Sequence, residues 1–316
     1  MIRAGLVRWT LSAALLSAAA TACVRVDAAP QSVQVEMSNV DLHVATDVTL
    51  HVRQLRGRFV PVGRQMPYLD DTHSYLVAID TGEISLDVTS LNALLARSLG
   101  GDGSNLDNLR VSFEADGTLA QRGVIDSKVN VPFSAKAVIS TTTDGRIRVS
   151  PQSVRSLGIP VGPVMNLFGM KLDNLVRIAP GRGIVTDGND LLLDPGRLIS
   201  APSVQGRMTA VRIERNQLVQ TFGSGVGAPI AGRPLSRNHI YWRGGQLSFG
   251  KLTMTDTDLE LVDMDPADPF DFSVSDWDAQ LVAGYSKTLP NKGLTAFMPD
   301  YNDIRPSSKL KVKSTK

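Results

Sequence analysis

The sequence predicts an α+β fold: a long, strongly curved antiparallel sheet wrapped around one or two helices, followed by a small strand-rich C-terminal extension. Three observations predict it. Apolar residues recur at every second position over long stretches, Asp-Gly pairs fall between those stretches, and only a few segments show helical spacing. At 316 residues the chain is long enough for about two average domains, or one with a sizeable appendage.

The first element is a leader. Residues 1–8 carry Arg3 and Arg8, and residues 11–22 are an uncharged run of Leu, Ala, Ser and Thr. A basic start before a short apolar run is the pattern of a signal peptide and is too short to span a bilayer, so residues 1–22 are expected to direct export to the periplasm. Ala20-Thr21-Ala22-Cys23 is similar to a bacterial lipobox, with Cys23 as the acylated anchor, although a larger aliphatic residue is usual where Ala20 stands. Ordinary cleavage after Ala22 or after Ala28 is the competing reading.

The sheet follows. Val40, Leu42 and Val44, then Val48, Leu50 and Val52, alternate with Asp41, His43, Asp47, Thr49, His51 and Arg53. Such alternation marks strands with one apolar face. It returns at Leu109, Val111, Phe113 and Ala115, along Val129 to Ile139, and at Ile147 and Val149. Asp116-Gly117, Asp144-Gly145 and Asp187-Gly188 supply the positive φ of tight hairpins between runs. Helical spacing appears at Leu91, Leu94, Leu95 and Leu99, with Thr89 as the cap and Gly100 as the stop. A second helix is expected around Val164, Leu167 and Phe168, and a short third one after Asp194 and Pro195.

Residues 33–222 therefore read as one α+β domain. Residues 223–236, rich in Gly and Pro, read as a linker. Residues 237–306 read as an acidic C-terminal region, and 307–316 as a basic tail with Lys309, Lys311, Lys313 and Lys316. Between Leu252 and Ser286 there are nine acidic residues and no Lys or Arg, which reads as a solvated acidic edge or as a partner for basic residues elsewhere. Short strands are expected at Leu247/Phe249, Leu252/Met254 and Leu259/Leu261, and a helix bearing Trp277, Leu281 and Tyr285 capped by Ser275 or Asp276.

Chemistry is sparse. The 33 basic and 31 acidic residues nearly cancel, which disfavours a nucleic-acid partner. No Gly-x-Ser-x-Gly elbow or phosphate loop is present, and Gly223-Ser224-Gly225-Val226-Gly227 lacks the strand and helix of a dinucleotide site. His43 and His51, placed on one strand, would stand ~26 Å apart and share no metal. With His73 and His239 they read as surface histidines. Asp256, Asp258, Asp263 and Asp265 offer oxygen ligands to a cation, but without the spacing of a calcium loop. No catalytic residue, resident metal or cofactor is expected. Aromatic residues make up only 5% of the chain, so the interior is expected to be aliphatic.

Two segments carry a family resemblance. One is the strand and leucine-striped helix Ile84-Ser85-Leu86-Asp87-Val88-Thr89-Ser90-Leu91-Asn92-Ala93-Leu94-Leu95. The other runs from Gly145-Arg146-Ile147-Arg148-Val149 through Ser156-Leu157-Gly158-Ile159-Pro160-Val161 and Gly206-Arg207-Met208-Thr209-Ala210-Val211 to Leu218-Val219-Gln220-Thr221-Phe222. Over residues 33–222 the chain resembles the LmeA-type phospholipid-binding proteins of the tubular lipid-binding (TULIP) superfamily. The resemblance implies a curved sheet around a long helix and an aliphatic groove for acyl chains. It implies no catalytic residue. The expectation is noncatalytic lipid binding or shuttling in the periplasm, at a membrane surface, with a groove at Leu91, Leu94, Leu95, Leu99, Val164, Leu167 and Phe168. An envelope assembly factor, using the acidic C-terminal region to hold a protein partner, is the alternative, and a hydrolase with an unrecognised site is the second.

Overall fold

The alternation seen in the sequence folds as a meander. In the computed structural model, which describes residues 32–100, 104–126, 130–156, 159–160, 177–199, 201–225, 227–230 and 234–304, β1 (Val33–Ala45), β2 (Val48–Pro61) and β3 (Tyr75–Asp87) pair antiparallel in chain order. The turn between β1 and β2 is two residues, Thr46 and Asp47, closed by Ala45 opposite Val48. Polar and apolar positions slip phase by one residue at Asn39 and at Arg53. These two positions fall opposite each other, between the pairs Ser38–Gln54 and Val40–Val52, and Asn39 takes a left-handed φ of 52°. Slipping in both strands together keeps Val33, Val35 and Met37 on the same dry face as Leu42 and Val44.

Helix α1 (Val88–Leu99) continues directly from β3. Its cap is Asp87, which accepts from Ser90 N at 2.7 Å, and not the expected Thr89, because the strand runs straight into the helix without a loop. Leu91, Leu94, Leu95 and Leu99 form its buried stripe, and Gly100 N closes it on Ala96 O. A second sheet then meanders through β4 (Leu106–Phe113), β5 (Leu119–Ile125), β6 (Val131–Thr141) and β7 (Ile147–Ser156). β8 (Ile159–Pro160) pairs β7, and β9 (Ile184–Asp187) with β10 (Asp190–Leu193) completes the far edge. The Asp-Gly hairpins lie where the sequence places them, with Gly117, Gly145 and Gly188 at positive φ. The second predicted helix, with Val164, Leu167 and Phe168, lies outside the described residues, as do the leader, Cys23 and the basic tail.

The chain returns to the first sheet after α2 (Pro195–Leu198), capped by Asp194 as expected. β11 (Ser203–Gly206) pairs parallel to β3, while β12 (Met208–Glu214) and β13 (Gln217–Phe222) extend the edge beyond β3. β14 (His239–Arg243) then pairs on the opposite side of the meander, against β1. β15 (Leu247–Phe249) and β16 (Leu252–Met254) form a separate two-stranded ribbon. β17 (Asp258–Asp263) and β20 (Leu294–Met298) continue outward from β14 to β19 (Tyr285–Thr288), while β18 (Phe270–Ser273) runs parallel to β1. Two short helices complete the list, α3 (Trp277–Ala283) and α4 (Tyr301–Ile304). The described chain is thus mostly sheet, with one run of six antiparallel strands curled into a half-barrel.

Two expectations change. The C-terminal extension is strand-rich but is no appendage: β14, β17, β20 and β19 complete the same 11-stranded sheet as β1 to β3. Tyr285 leaves the predicted helix for β19, because Gly284 ends α3 and its pro-chiral position is pressed on Phe297 O, 1.9 Å from where a Cβ would stand. The Gly/Pro-rich stretch is the strap that carries the chain from β13, across the meander, to β14. Gly223 begins it at φ 56°, where a Cβ would meet Asp80 O at 2.3 Å.

The strap is pinned by buried charge. Gln54 Nε2 donates to Gly225 O at 2.6 Å, and Arg56 donates to Gly227 O. Arg56 also meets Glu36 Oε1 at 3.0 Å, and the other Glu36 oxygen accepts from Ile230 N at 3.0 Å. Glu260 accepts from Ser236 N at 2.9 Å, and His239 donates its Nδ1 proton to Ser236 O at 2.6 Å. Burial pushes the Glu36 carboxyl up, but the Arg56 hydrogen bond, the Ile230 N–H and the Arg56 and His239 charges hold it below its ordinary value. Removing one partner leaves the other charge stranded, at ~3–5 kcal/mol for a buried pair. Arg56→Met is therefore expected to lower stability by that order, and adding Glu36→Gln to recover much of it, in urea denaturation of the single and double variants.

Candidate ligand-binding site

The dry faces of the two sheets and the leucine stripe of α1 enclose a cavity of about 140 Å³. Met37, Leu42 and Val44 of β1, Leu50, Val52, Leu55 and Phe59 of β2, and Val77, Ile79, Ile84 and Leu86 of β3 form one wall. Leu119, Ile139, Ile147, Val149 and Leu193 of the second sheet face them, and Leu91, Leu94 and Leu95 close a side. Alternation, shifted by one residue at Asn39, Arg53 and Asp80, places these side chains on one face of each strand. Among the described lining residues there is no charged side chain, and Gln220 is the one amide. A second pocket of about 20 Å³ shares Leu95, Leu119, Val149 and Leu193 with the first and adds Leu99.

Of the groove residues expected from sequence, Leu91, Leu94 and Leu95 line the main cavity and Leu99 the smaller one. Val164, Leu167 and Phe168 lie outside the described residues. Sequence reasoning missed the aromatic part of the lining. Phe59 stacks on Tyr75 at 4.5 Å between ring centres, Trp242 meets Phe59 edge-on at 5.7 Å, and Phe249 stacks on Trp277 at 4.3 Å. All five rings line the cavity, so the few aromatic residues are concentrated where composition alone placed only aliphatic ones. The available signal was the pattern Ile240, Trp242 in β14, which repeats the period of two seen in β1 to β3.

The opposite face of the meander is polar and forms a cleft of about 580 Å³. Asp41, His51 and Ser85 stand in one row across β1, β2 and β3. His51 donates Nδ1–H to Asp41 at 2.7 Å, and this bond raises the imidazole pKa against the effect of burial. The Ser85 hydroxyl donates to Gln217 Oε1 at 2.9 Å. His43 is not a surface residue: it bonds Asp271 through Nε2 and lies within hydrogen-bond distance of Thr49 Oγ1, at 3.1 Å, through Nδ1. The turn at Thr46 and Asp47 brings His43 and His51 to adjacent strands, about 7–8 Å apart on the diagonal, instead of the ends of one strand. His239 is buried as well, and only His73 is exposed as expected.

The acidic segment is a solvated edge only in part, with Asp256, Asp265, Asp268 and Asp278 exposed. Asp258, Glu260, Asp263 and Asp271 are buried and serve as internal acceptors. Asp258 accepts from Asn291 Nδ2 at 2.7 Å, and Asp263 accepts from Asn238 Nδ2 at 2.9 Å and Asp265 N at 2.8 Å. Asp256 and Asp265 are exposed, so the four suggested cation ligands do not converge. Among the described residues no group of three or more His, Cys, Asp or Glu side chains is placed to hold a metal ion. No described helix is long and apolar enough to cross a membrane.

Comparison of the chain with family models, with curated proteins and with solved structures finds no match.

The same acidic neighbourhood yields a pH dependence. Burial, together with the charges of Asp263, Asp268 and Asp271, pushes the Asp300 carboxyl up to about 7, although Asp271 N–H opposes it. A carboxyl whose pKa is higher in the folded chain stabilises the fold when protonated, and that contribution disappears as pH rises through the folded value. Between pH 5 and pH 8 the wild-type melting temperature is expected to fall relative to that of Asp300→Asn, whose amide does not titrate. Parallel curves in differential scanning calorimetry would contradict this.

Proposed function

We propose that this chain is a noncatalytic binding or shuttling protein for an aliphatic lipid or other acyl-chain ligand, working in the bacterial periplasm and related to the TULIP proteins. The observation that carries the reading is the cavity between the two sheets, walled by aliphatic and aromatic side chains and free of charge among its described lining residues. Left empty, an apolar cavity of about 140 Å³ costs ~3 kcal/mol at ~24 cal/mol per Å³. An acyl segment recovers that deficit and adds ~0.8 kcal/mol for each methylene withdrawn from water. The size is close to that of an engineered apolar cavity of ~150 Å³ that takes up benzene. One chain, or the end of one, suits the enclosed space; two full chains require the sheets to part or the ligand to protrude. The leader supports export, and Cys23, if acylated, would hold the chain at the membrane from which a lipid is drawn.

Two of the three tryptophans, Trp242 and Trp277, line the cavity, and Trp9 lies in the leader. In the full chain carrying Trp9→Phe, a medium-chain alcohol brominated along its chain is expected to quench most of the tryptophan emission in a saturable manner, whereas the unbrominated alcohol is not. Quenching that never saturates, or none, would remove the reading.

A hydrolase remains as a second reading on one specific observation, the row of Asp41, His51 and Ser85 in the polar cleft. Against it, the Ser85 hydroxyl is engaged by Gln217 and not by His51. Turnover of a p-nitrophenyl ester that disappears in both Ser85→Ala and His51→Gln would favour the enzyme, and turnover unchanged in both would exclude this row.

A further inference from the structure

Gln220 does not belong in the wall where it is found. It sits in β13 between Leu218 and Phe222, on the strand face that lines the cavity, and is only 4% exposed. Its Oε1 has no hydrogen-bond partner. Gln280, buried to a similar degree, shows what a structural glutamine looks like in this fold. Its Oε1 accepts from Ser273 N at 2.9 Å, and its Nε2 donates to Asp271 O and to Pro299 O, both at 2.9 Å. A buried amide oxygen without a partner loses its hydration and receives nothing in return. An aliphatic residue at this position would complete the wall at no such cost.

On the reading of the cavity as a ligand site, we infer that its ligand is an uncharged, hydroxyl-bearing lipid whose hydroxyl hydrogen-bonds Gln220. The missing partner has to donate to the amide oxygen. A hydroxyl does so and also accepts from the amide nitrogen, so it serves whichever way the amide is turned. The ligand's polar group is uncharged because no charged side chain among the described lining residues stands ready to compensate a phosphate or an ionised carboxylate. A plain hydrocarbon would leave Gln220 as it is. Trp242 Nε1 is a second buried polar atom of the lining without a partner; it is a donor only, so it calls for an acceptor, which a hydroxyl oxygen also supplies.

The test compares 1-octanol with n-nonane, which have the same number of heavy atoms, by titration calorimetry on the full chain, as wild type and as Gln220→Leu and Gln220→Met. In both variants octanol is expected to bind about tenfold more weakly than to wild type, the worth of one buried hydrogen bond, while nonane binds as well or better. The melting temperature of the ligand-free variants is expected to be equal or higher, since the unpartnered amide is gone. Octanol affinity unchanged in both variants would overturn the assignment to Gln220 and leave the cavity as an apolar site. Octanol and nonane weakened together, with a lower melting temperature, would make Gln220 structural. Tighter wild-type binding of octyl phosphate than of octanol would overturn the uncharged class. Failure of wild type to bind either octanol or nonane would remove the cavity reading beneath it.

Discussion

The constraint on which the structure depends is the separation of wet and dry faces along β1, β2 and β3. One face of these strands is apolar along its length, so the face that carries Val52, Leu55 and Phe59 has to be covered by something apolar. The second sheet and α1 provide the cover. Curled sheets of aliphatic side chains meet without interdigitating everywhere, and the space they leave is the cavity. That separation survives the phase slip because Asn39 and Arg53 slip at the same level and β3 makes its own one-residue shift at Asp80. A slip without such compensation would turn half of a strand's aliphatic residues to water.

The wet face has its own organisation. A strap of chain crosses it and is fastened by Gln54, Arg56, Glu36 and Glu260, one or more anchors from each of β2, β1 and β17. This crossing lets the strands after the strap add to the free edge of β1, so that the meander ends in the interior of an 11-stranded sheet. The acidic residues of that later segment follow the same logic. Asp258, Glu260, Asp263 and Asp271 accept hydrogen bonds from asparagines and from backbone N–H groups inside the fold. The two faces therefore divide the work: charge and amides hold the chain together on one, while the other is kept apolar, with Gln220 as the exception.

Much of the local structure was legible in the sequence. The period of two found the long strands, the Asp-Gly pairs found three hairpins, and the leucine spacing found α1 together with the part of the cavity wall it supplies. What escaped was long-range. Nothing local in His239-Ile240-Tyr241-Trp242 says that it will pair with Val35 and Glu36 some two hundred residues earlier, so from sequence the strap reads as a linker and the segment after it as an extension. Which carboxylates between Asp256 and Asp271 are buried is not legible locally, because burial of Asp258, Asp263 and Asp271 depends on donors, such as Asn238, Asn291 and Asn302, that lie elsewhere in the chain. Low aromatic content was legible, but the concentration of those residues in the cavity lining required the third dimension.

The central claim is that an aliphatic ligand lies between the sheets in contact with α1. Methyl-labelled protein with a bound medium-chain alcohol offers the most direct measurement, through intermolecular nuclear Overhauser effects. The expected result is a set of contacts from the alkyl protons to the methyl groups of Leu50, Leu91 and Leu193, which belong to three different walls of the cavity, with none to exposed Val282 or Leu252. Contacts confined to those exposed residues, with the three cavity leucines silent, would contradict it.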